Sequence, residues 1–419
     1  MIKLNFDIKK HNLENGLKVL TIKKDTQIAA INIGVNVGAM YENMDEKGIS
    51  HFIEHMLFKG TKNRTNEELN DELESLGGEY NAYTDYDSTV YTISCLEEEI
   101  ENGVKLLGDM IVNSNFPEEE IVKERNVILA EIRTSKDDIE DLSFKRTNEV
   151  AFKKSYLKYD VIGFEENVNN FTRDDLVKFY KKYYAPNNSV ITIVTSLEHE
   201  EALNLVESSF CNWNKGSIEK KDIIKEKNIK TIKTTFKNEI EQSTIVYLYT
   251  FNDLDKEDEL PLRILNNRIG ESSNSLLFKE IREKRGFAYD IFTHLDITKD
   301  AKSLYIYTSV SDEDVSDTKK AIDKVLKDVV NKKVVFGDKD LNIMKKVHKT
   351  AVIGTLEDSA DLCNYILHQE LAGENNLEFV SDMNKLNTIK PEKLYSVAKE
   401  VLKDPTIHIL RRTSGEEDE

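Results

Sequence analysis

The chain has 419 residues and a formal net charge of -19, from 77 acidic and 58 basic residues. No basic face is evident that could meet phosphates, so the charge argues against nucleic-acid binding. No apolar run approaches the length of about 18 residues that a membrane span needs. With 17 glycines and 5 prolines, the composition predicts a folded protein. The length suggests two domains of about 200 residues each.

The start of the chain and its cysteines favour a cytoplasmic protein. Met1-Ile2-Lys3 is not followed by the apolar core of a secretion signal. The cysteines Cys95, Cys211 and Cys363 are few, odd in number and far apart. This usage fits reduced thiols, and it fits neither a disulfide framework nor a cysteine metal site. We interpret all three as small core residues.

The first chemical signal follows a predicted strand. At residues 31–37, apolar residues alternate with Asn and Gly, which predicts a half-buried strand. The segment His51-Phe52-Ile53-Glu54-His55 comes next, and residues i, i+3 and i+4 of a helix project the same way. His51 and His55 could therefore bind one metal ion while Glu54 lies beside it to handle a proton. The alternative is two hydrogen-bonded histidines on a core helix.

A catalytic zinc ion needs a third protein ligand and keeps its fourth position for water. Residues 116–134 predict a helix that could supply it, with proline near the start and glutamates in the first turn. Glu124 and Glu131 are seven residues apart and share one face of this helix. Such a pair usually belongs to a solvated face. However, Glu131 lies next to Leu129 and Ile132 in an apolar run, where a carboxylate needs a partner.

The two halves of the chain show the same order of predicted elements. In the first half, a helix at residues 67–76 precedes a glycine turn, a strand, an acidic turn, a strand at residues 89–94 and an acidic helix start. In the second half, a helix at residues 276–285 precedes a glycine, a strand, a polar turn, a strand at residues 304–310 and an acidic helix start. The repeat distance is roughly 215 residues.

This order predicts an α+β fold of two similar consecutive domains, each an antiparallel-rich β-sheet packed with α-helices. The expected boundaries are a zinc-binding domain at residues 1–213, a linker at residues 214–230 and a domain without a metal site at residues 231–419. The second half has no H-x-x-E-H segment. Its isolated histidines are interpreted as surface or core residues: His294, His348, His368 and His408.

Together these patterns resemble the pitrilysin/insulinase family of zinc metallopeptidases, the inverted zincins. In that family, H-x-x-E-H is followed about 75 residues later by a ligating glutamate, with another glutamate seven residues before it. Here 75 residues lie between His55 and Glu131, and Glu124 occupies the upstream place. The resemblance implies that His51, His55 and Glu131 hold one Zn²⁺ per chain, that Glu54 is the catalytic base, and that Glu124 supports the site.

Two further segments extend the resemblance, which is to the short two-domain bacterial members and to the beta subunit of the mitochondrial processing peptidase. Residues 77–82 resemble the family's edge strand, which pairs with the substrate backbone and in which Asn81 and Ala82 are the contact positions. Residues 282–289 resemble the signature in the second half of the family's sequences, an arginine and a tyrosine seven residues apart. The resemblance implies that Arg282 and Tyr289 bind substrate and assist turnover.

Other segments flank these motifs. Residues 15–19, 171–176 and 183–186 match flanking elements of the family. The chain departs from the family pattern at Lys154–Lys158, where bacterial relatives usually carry a Gly-His-Pro-Leu-Gly segment, and at Gly270–Ser275, where they carry a glycine-rich loop. Neither departure touches an expected zinc ligand.

The expected function is a zinc metalloendopeptidase that hydrolyses peptide bonds in peptides or unfolded segments. Zinc lowers the pKa of its bound water toward ~7, and Glu54 would take the proton as the water attacks. By the resemblance, Tyr289 with Arg282 as its neighbour would stabilise the carbonyl oxygen. Two alternatives remain open: a non-catalytic family subunit that binds or scaffolds a partner, and another metal hydrolase with the same ligands.

The resemblance also predicts the assembly. Long single-chain relatives hold four of these repeated units, whereas this chain has two. The expected partners are therefore peptide substrates and a second copy of the chain in a homodimer, or a related subunit in a heterodimer. Neither a nucleic acid nor a membrane is expected as a partner.

Overall fold

The structure is a computed structural model that describes residues 4–219, 221–238 and 240–413. Met1-Ile2-Lys3, in which no secretion signal is expected, lies outside the described residues, as do Lys220 of the expected linker and residues 414–419. The chain divides into two compact units. Unit 1 comprises Met1–Arg133, Asp160–Asp222 and Val352–Glu378, and unit 2 comprises Thr134–Tyr159, Ile223–Ala351 and Phe379–Glu419.

Each unit is built on one mixed β-sheet packed with helices, which confirms the α+β class. Sheet 1 has the strand order β1-β2-β6-β3-β5-β4, and its β2–β6 pair is parallel. Its strands are β1 (Phe6–Asn12), β2 (Lys18–Lys24), β3 (Ile28–Val35), β4 (Glu79–Thr84), β5 (Thr89–Leu96) and β6 (Ser189–Thr195). Strand β4 therefore forms one edge of this sheet.

Sheet 2 has the same topology without the first strand. Its order is β7-β11-β8-β10-β9, and its β7–β11 pair is parallel. The strands are β7 (Thr231–Lys237), β8 (Ser243–Thr250), β9 (Ala288–Ile297), β10 (Lys302–Val310) and β11 (Thr406–Arg412). In order, β7, β11, β8, β10 and β9 correspond to β2, β6, β3, β5 and β4. The two domains are thus similar, as predicted.

The described residues contain fourteen α-helices, several of which begin at a side-chain cap such as the Thr65–Glu68 capping box. Those of the first half are α1 (Ile49–Met56), α2 (Asn66–Ser75), α3 (Ile100–Asn113), α4 (Glu118–Asp137), α5 (Ile139–Ala151), α6 (Glu165–Asn170), α7 (Arg173–Tyr183) and α8 (His199–Phe210). Those of the second half are α9 (Lys256–Asn266), α10 (Val315–Val330), α11 (Asp338–Glu357), α12 (Ser359–Ala372), α13 (Glu378–Leu386) and α14 (Pro391–Val401). None of them is long and apolar enough to cross a membrane.

Each sheet is covered by one helix from the opposite half of the sequence. Helix α12 packs on β3 and β6 of sheet 1, where the Thr192 hydroxyl donates to the carbonyl of Cys363 at 3.0 Å. Helix α5 packs on β8 and β11 of sheet 2, where the hydroxyls of Ser143 and Thr244 lie 2.6 Å apart. The units therefore each take one segment from across the expected boundaries.

This exchange explains one departure from the sequence expectations, and a second departure concerns a cysteine. Strand β3 is buried on both faces rather than half-buried, because α12 covers the face that carries Asn32 and Gly34. Cys95 and Cys363 are buried as expected. The prediction for Cys211 was wrong, because this residue follows the last turn of α8 and its side chain is exposed.

Substitution of Gly34 tests the packing of α12. A Cβ atom at Gly34 would lie 2.6 Å from a terminal carbon of Leu371 and 3.3 Å from Leu367. We expect Gly34→Val to lower the free energy of unfolding of unit 1 by about 1–3 kcal/mol. Gly354→Ala, in open space on α11, is the control and should be neutral or stabilising. Urea unfolding followed by Trp213 fluorescence measures both, and an unchanged Gly34→Val variant contradicts the packing.

Candidate metal centre

Helix α1 carries the H-x-x-E-H segment and begins at a glycine that no other residue could replace without strain. Gly48 has φ +97°, and a Cβ there would lie 2.6 Å from the carbonyl oxygen of Ile162. One face of the helix enters the core of unit 1 and consists of Ile49, Phe52, Ile53 and Met56. His51, Glu54 and His55 remain half-buried on the opposite side.

A buried carboxylate holds the first turn of α1. Glu42 Oε2 accepts the N–H of Gly48 at 3.0 Å, and its Oε1 accepts the N–H of Ser50 at 2.9 Å. These bonds satisfy helix donors that would otherwise be unpaired. A carboxylate at this position also interacts favourably with the positive end of the helix dipole. The Lys47 ammonium, also buried, lies 4.0 Å from Glu42. Burial raises the pKa of Glu42 to about 7, although these bonds and Lys47 act in the opposite direction.

Helix α4 brings the glutamates to α1. His51 Nε2 lies 3.8 Å from Glu131 Oε1, and His55 Nε2 lies 3.7 Å from Glu131 Oε2. One ligand atom from each of these three residues falls within 4.8 Å of the others. Among the residues that the structure describes, no other histidine, cysteine or acidic residues form such a group.

Glu124 fixes the orientation of His55. Its Oε2 lies 3.1 Å from His55 Nδ1, while its Oε1 lies 3.0 Å from the Lys59 ammonium. With Nδ1 engaged by the carboxylate, the Nε2 atom of His55 is directed toward Glu131. Burial favours the protonated form of Glu124, but the hydrogen bonds and charges of His55 and Lys59 outweigh it and lower the pKa of Glu124.

His51 is suited to act as a neutral ligand. Burial, together with the neighbouring His55, lowers the pKa of His51 to about 3. The ring is therefore neutral over the whole physiological range, as metal ligation requires. Its Nδ1 atom is buried and has no hydrogen-bond partner.

Glu54 does not join the ligand group but receives a contact from β4. The Thr84 hydroxyl donates to Glu54 Oε2 at 2.6 Å, which leaves the other carboxylate oxygen for a substrate or water proton. Burial raises the pKa of Glu54, and the Thr84 bond and His55 partly offset this effect. A raised pKa makes the Glu54 carboxylate more basic, as proton transfer near neutral pH requires.

The residues fit zinc in type and spacing. Two imidazole nitrogens and one carboxylate oxygen form a donor set typical of catalytic zinc sites. The Glu131 side chain is 47% exposed although Leu129 and Ile132 lie beside it in the sequence, and its carboxylate has His51 and His55 as partners. Ile128, Leu129 and Ile132 are buried, whereas Glu131 is exposed on the face of α4 that it shares with Glu124. That exposure gives water and a peptide access to the group.

The expected substrate contacts of the first half lie on the edge strand β4. One edge of β4 pairs with β5, and its other edge has no strand partner among the described residues. Ala82 and Thr84 share the face of β4 that meets α1. Asn81 is exposed, and its Oδ1 accepts the N–H of Ala82 at 2.8 Å. A peptide carbonyl that uses this N–H must displace the Asn81 contact.

Arg282 and Tyr289 lie together in unit 2. The Arg282 guanidinium sits 4.9 Å from the ring centre of Phe278 and 4.9 Å from that of Tyr289. Tyr289 is 76% exposed on the edge strand β9, the counterpart of β4. The helix expected at residues 276–285 is a π-helix at Phe278–Glu283, a form that often marks functional sites.

Three supporting residues were not predicted, and two of them have a partial signal in the sequence. Thr84 is two residues after Ala82, so strand alternation places both on the same face. Lys59 is four residues after His55, one helical turn away. Glu42 has no local signal, because only the fold places its carboxylate at the start of α1.

Comparison with known proteins identifies the family of the chain. Residues 18–164 match the family described as insulinase (peptidase family M16), and residues 170–347 match the peptidase M16 inactive domain. An uncharacterized zinc protease of Rickettsia felis is 33% identical over 74% of this chain and 74% of its own length. The chain therefore belongs to peptidase family M16, the insulinase family.

The architecture narrows this assignment to the two-domain bacterial type. A protease from Helicobacter pylori has the same fold, with a TM-score of 0.89 at 23% identity, over 97% of this chain and 99% of that one. A probable mitochondrial-processing peptidase subunit beta of Arabidopsis thaliana is 33% identical over 47% of this chain and 38% of its own length.

Replacement of Glu42 tests the support of α1. The folded state retains a proton on Glu42 between pH 4.5 and about 7, where the unfolded state has released it. Stability therefore falls as pH rises through this window, by on the order of 2–3 kcal/mol. We expect Glu42→Gln to lose one helix-capping bond and to flatten this pH dependence. Urea unfolding at pH 5 and pH 8, followed by Trp213 fluorescence, measures the free energy of unfolding at each pH. Asp45→Asn, at an exposed position, is the control. Equal pH slopes in Glu42→Gln and wild type contradict the prediction.

Proposed function

We propose that this M16 protein is a zinc-dependent metalloendopeptidase that cleaves peptides or unfolded segments, with Glu54 as the general base. The proposal rests on one observation: ligand atoms of His51, His55 and Glu131 lie within 4.8 Å of one another. Glu54 lies beside the two histidines on α1. A non-catalytic scaffold needs none of these contacts. The complete set therefore favours an enzyme over a binding subunit.

The mechanism follows from the positions of the protein's own groups. Zinc held by the three ligands would polarise the scissile carbonyl and lower the pKa of water at the site. Glu54, oriented by Thr84, would accept a proton from the attacking water and return it to the departing amine. A peptide added along β4 would present its backbone beside α1. Arg282 and Tyr289 would assist by binding the substrate and the developing negative charge.

We further propose that the enzyme acts in the cytoplasm, where the three free thiols would stay reduced. We expect it to work as a homodimer, since two-fold pairing is the commonest assembly of soluble proteins. Peptides of a few tens of residues are the expected substrates.

Removal of single ligands tests the metal assignment. We expect purified protein to hold about one zinc per chain, and His51→Ala or Glu131→Gln to lose most of it, because each removes one of three ligands. Glu124→Gln should retain the site but weaken zinc affinity about 10–100-fold, because it loosens His55. Elemental analysis and chelator competition measure these effects, with exposed Glu119→Gln as the control on α4. Full zinc in His51→Ala would refute the ligand set.

Replacement of Glu54 separates binding from chemistry. Glu54→Gln keeps the shape and the Thr84 contact, but the amide cannot accept a proton from water. We expect zinc and peptide binding to persist while turnover of a quenched peptide falls at least ~100-fold. Near-normal turnover in zinc-loaded Glu54→Gln would remove this residue from the role of base.

The role of unit 2 is tested at Tyr289. Tyr289→Phe preserves the ring that contacts Arg282 and removes only the hydroxyl. We expect slower turnover with unchanged zinc content, since the hydroxyl would donate a hydrogen bond in the transition state. Phe278→Leu, which removes the other ring beside Arg282, should affect substrate binding more than the chemical step. Full turnover in Tyr289→Phe would exclude the hydroxyl from the mechanism.

A further inference from the structure

Strand β4 is held in sheet 1 along one edge. It pairs antiparallel with β5 from Glu79↔Ser94 to Thr84↔Thr89, and its other edge has no strand partner among the described residues. A strand with one neighbour opens locally more easily than a central strand. A peptide that adds to β4 binds best when the backbone of this strand is already in place, so contacts beyond those with β5 are needed to fix it.

The Tyr83 side chain supplies such contacts. Successive residues of a strand project to opposite faces, so Tyr83 points away from the face on which Thr84 donates to Glu54. The Tyr83 hydroxyl donates to Asn364 Oδ1 at 2.7 Å and lies 2.7 Å from His368 Nε2. Its ring stacks on that of His368, with the ring centres 6.1 Å apart. Tyr83, Asn364 and His368 form a cluster that we call the Tyr83 clamp.

Both partners of Tyr83 lie on α12, one helical turn apart. Asn364 and His368 are residues i and i+4 of this helix, so their side chains project the same way. Helix α12 packs on β3 and β6, which lie in the centre of sheet 1. The clamp therefore ties the edge strand to a helix that is anchored on the centre of the same sheet.

The protons of the clamp set the direction of both hydrogen bonds. Burial raises the pKa of Tyr83 to about 12, so the hydroxyl keeps its proton. That proton goes to Asn364 Oδ1, an atom that can only accept. His368 Nε2 therefore carries a hydrogen atom and donates it to the Tyr83 oxygen. The Tyr83 hydroxyl thus donates once and accepts once.

We propose that Tyr83, Asn364 and His368 are positioning residues that hold β4 in the place where a substrate peptide adds to it. The inference rests on the proposed function, because it concerns how the peptide reaches Glu54. The clamp acts through the backbone of β4, whereas Thr84, the next residue, contacts Glu54 directly. Peptide binding and the chemical step are thus supported from opposite faces of one strand.

The contacts on the two faces also fix the register of β4 on β5. A shift by one residue would turn Tyr83 toward α1 and Thr84 toward the opposite face, because strand faces alternate. A shift by two residues would keep the faces but move each side chain by about 7 Å along the strand, beyond hydrogen-bond distance of its partner. The observed register is therefore the one in which both sets of contacts form.

Removal of the Tyr83 hydroxyl tests the clamp through peptide binding. Tyr83→Phe keeps the stacked ring and loses both hydrogen bonds. In a Glu54→Gln background, which leaves a bound peptide uncleaved, we expect the peptide's dissociation constant to rise about 10-fold, as the loss of one or two hydrogen bonds implies. An unchanged dissociation constant would overturn the inference.

Kinetics of the cleaving enzyme distinguish the two faces of β4. Tyr83→Phe should raise the Michaelis constant about 10-fold and change kcat less than ~2-fold, because Thr84 still orients Glu54. Thr84→Val should show the reverse, a lower kcat with little change in the Michaelis constant, because it removes the hydrogen bond to Glu54. Zinc content should stay the same in both variants. A fall in kcat alone in Tyr83→Phe would contradict the positioning role.

Replacement of His368 tests the hydrogen bond itself. His368→Leu removes the donor, so it should weaken peptide binding as Tyr83→Phe does. His368→Gln places an amide N–H donor at a similar reach from the backbone and should restore binding to near the wild-type value. Asp361→Asn, at an exposed position of α12, is the control and should match wild type. Equal impairment of the Leu and Gln variants would overturn the inference.

Hydrogen exchange tests the clamp without peptide hydrolysis. Backbone amides of residues 79–84 should exchange faster in Tyr83→Phe and His368→Leu than in wild type, while those of α1 should not change. If zinc-loaded wild type cleaves no peptide, the proposed function fails, and the exchange rates alone decide whether the clamp holds β4. If wild type cleaves peptides but both variants keep its Michaelis constant and exchange rates, the inference fails and the proposed function stands. Lower stability in urea with unchanged peptide binding would leave the clamp a structural role only and would also overturn the inference.

Discussion

The contact between α1 and α4 brings the three candidate metal ligands together. His55 and Glu124 are 69 residues apart in sequence, yet their side chains lie 3.1 Å apart. This contact orients the imidazole and sets the distance at which Glu131 faces both histidines. A displacement of either helix by one turn, about 5 Å, would separate the ligand atoms beyond the reach of one ion. The position of α1 therefore matters as much as the identity of its histidines.

Several buried polar groups serve to hold α1 in that position. Glu42 binds the first N–H groups of the helix, and Gly48 permits the close passage of the chain at Ile162. The cost of burying the Glu42 charge appears in its raised pKa, and a partly compensating Lys47 lies nearby. The two directed hydrogen bonds fix the first turn of α1 relative to the Glu42 carboxylate.

The repeated sheets differ mainly at their edges. The edge strand β4 carries the expected backbone contacts, and its counterpart β9 carries Tyr289. At the opposite edges, β1 pairs with β2 in sheet 1, while β7 has no outer strand partner among the residues that the structure describes. Edge strands expose unpaired backbone groups, so they are where a duplicated fold can acquire different partners without changes in its core. The candidate metal ligands, which one copy carries, are a further difference between the two copies.

The sequence by itself determined most of the elements and the candidate metal ligands. The i, i+3, i+4 spacing placed His51, Glu54 and His55 on one helix face, and the repeated order of elements predicted two similar α+β domains. These features depend on local periodicity, which a sequence records directly. Tertiary structure decided the rest: the helix exchange that buries both faces of β3, the exposure of Glu131, and the support from Glu42 and Thr84. Each depends on which distant segments pack together, and no local pattern encodes that choice.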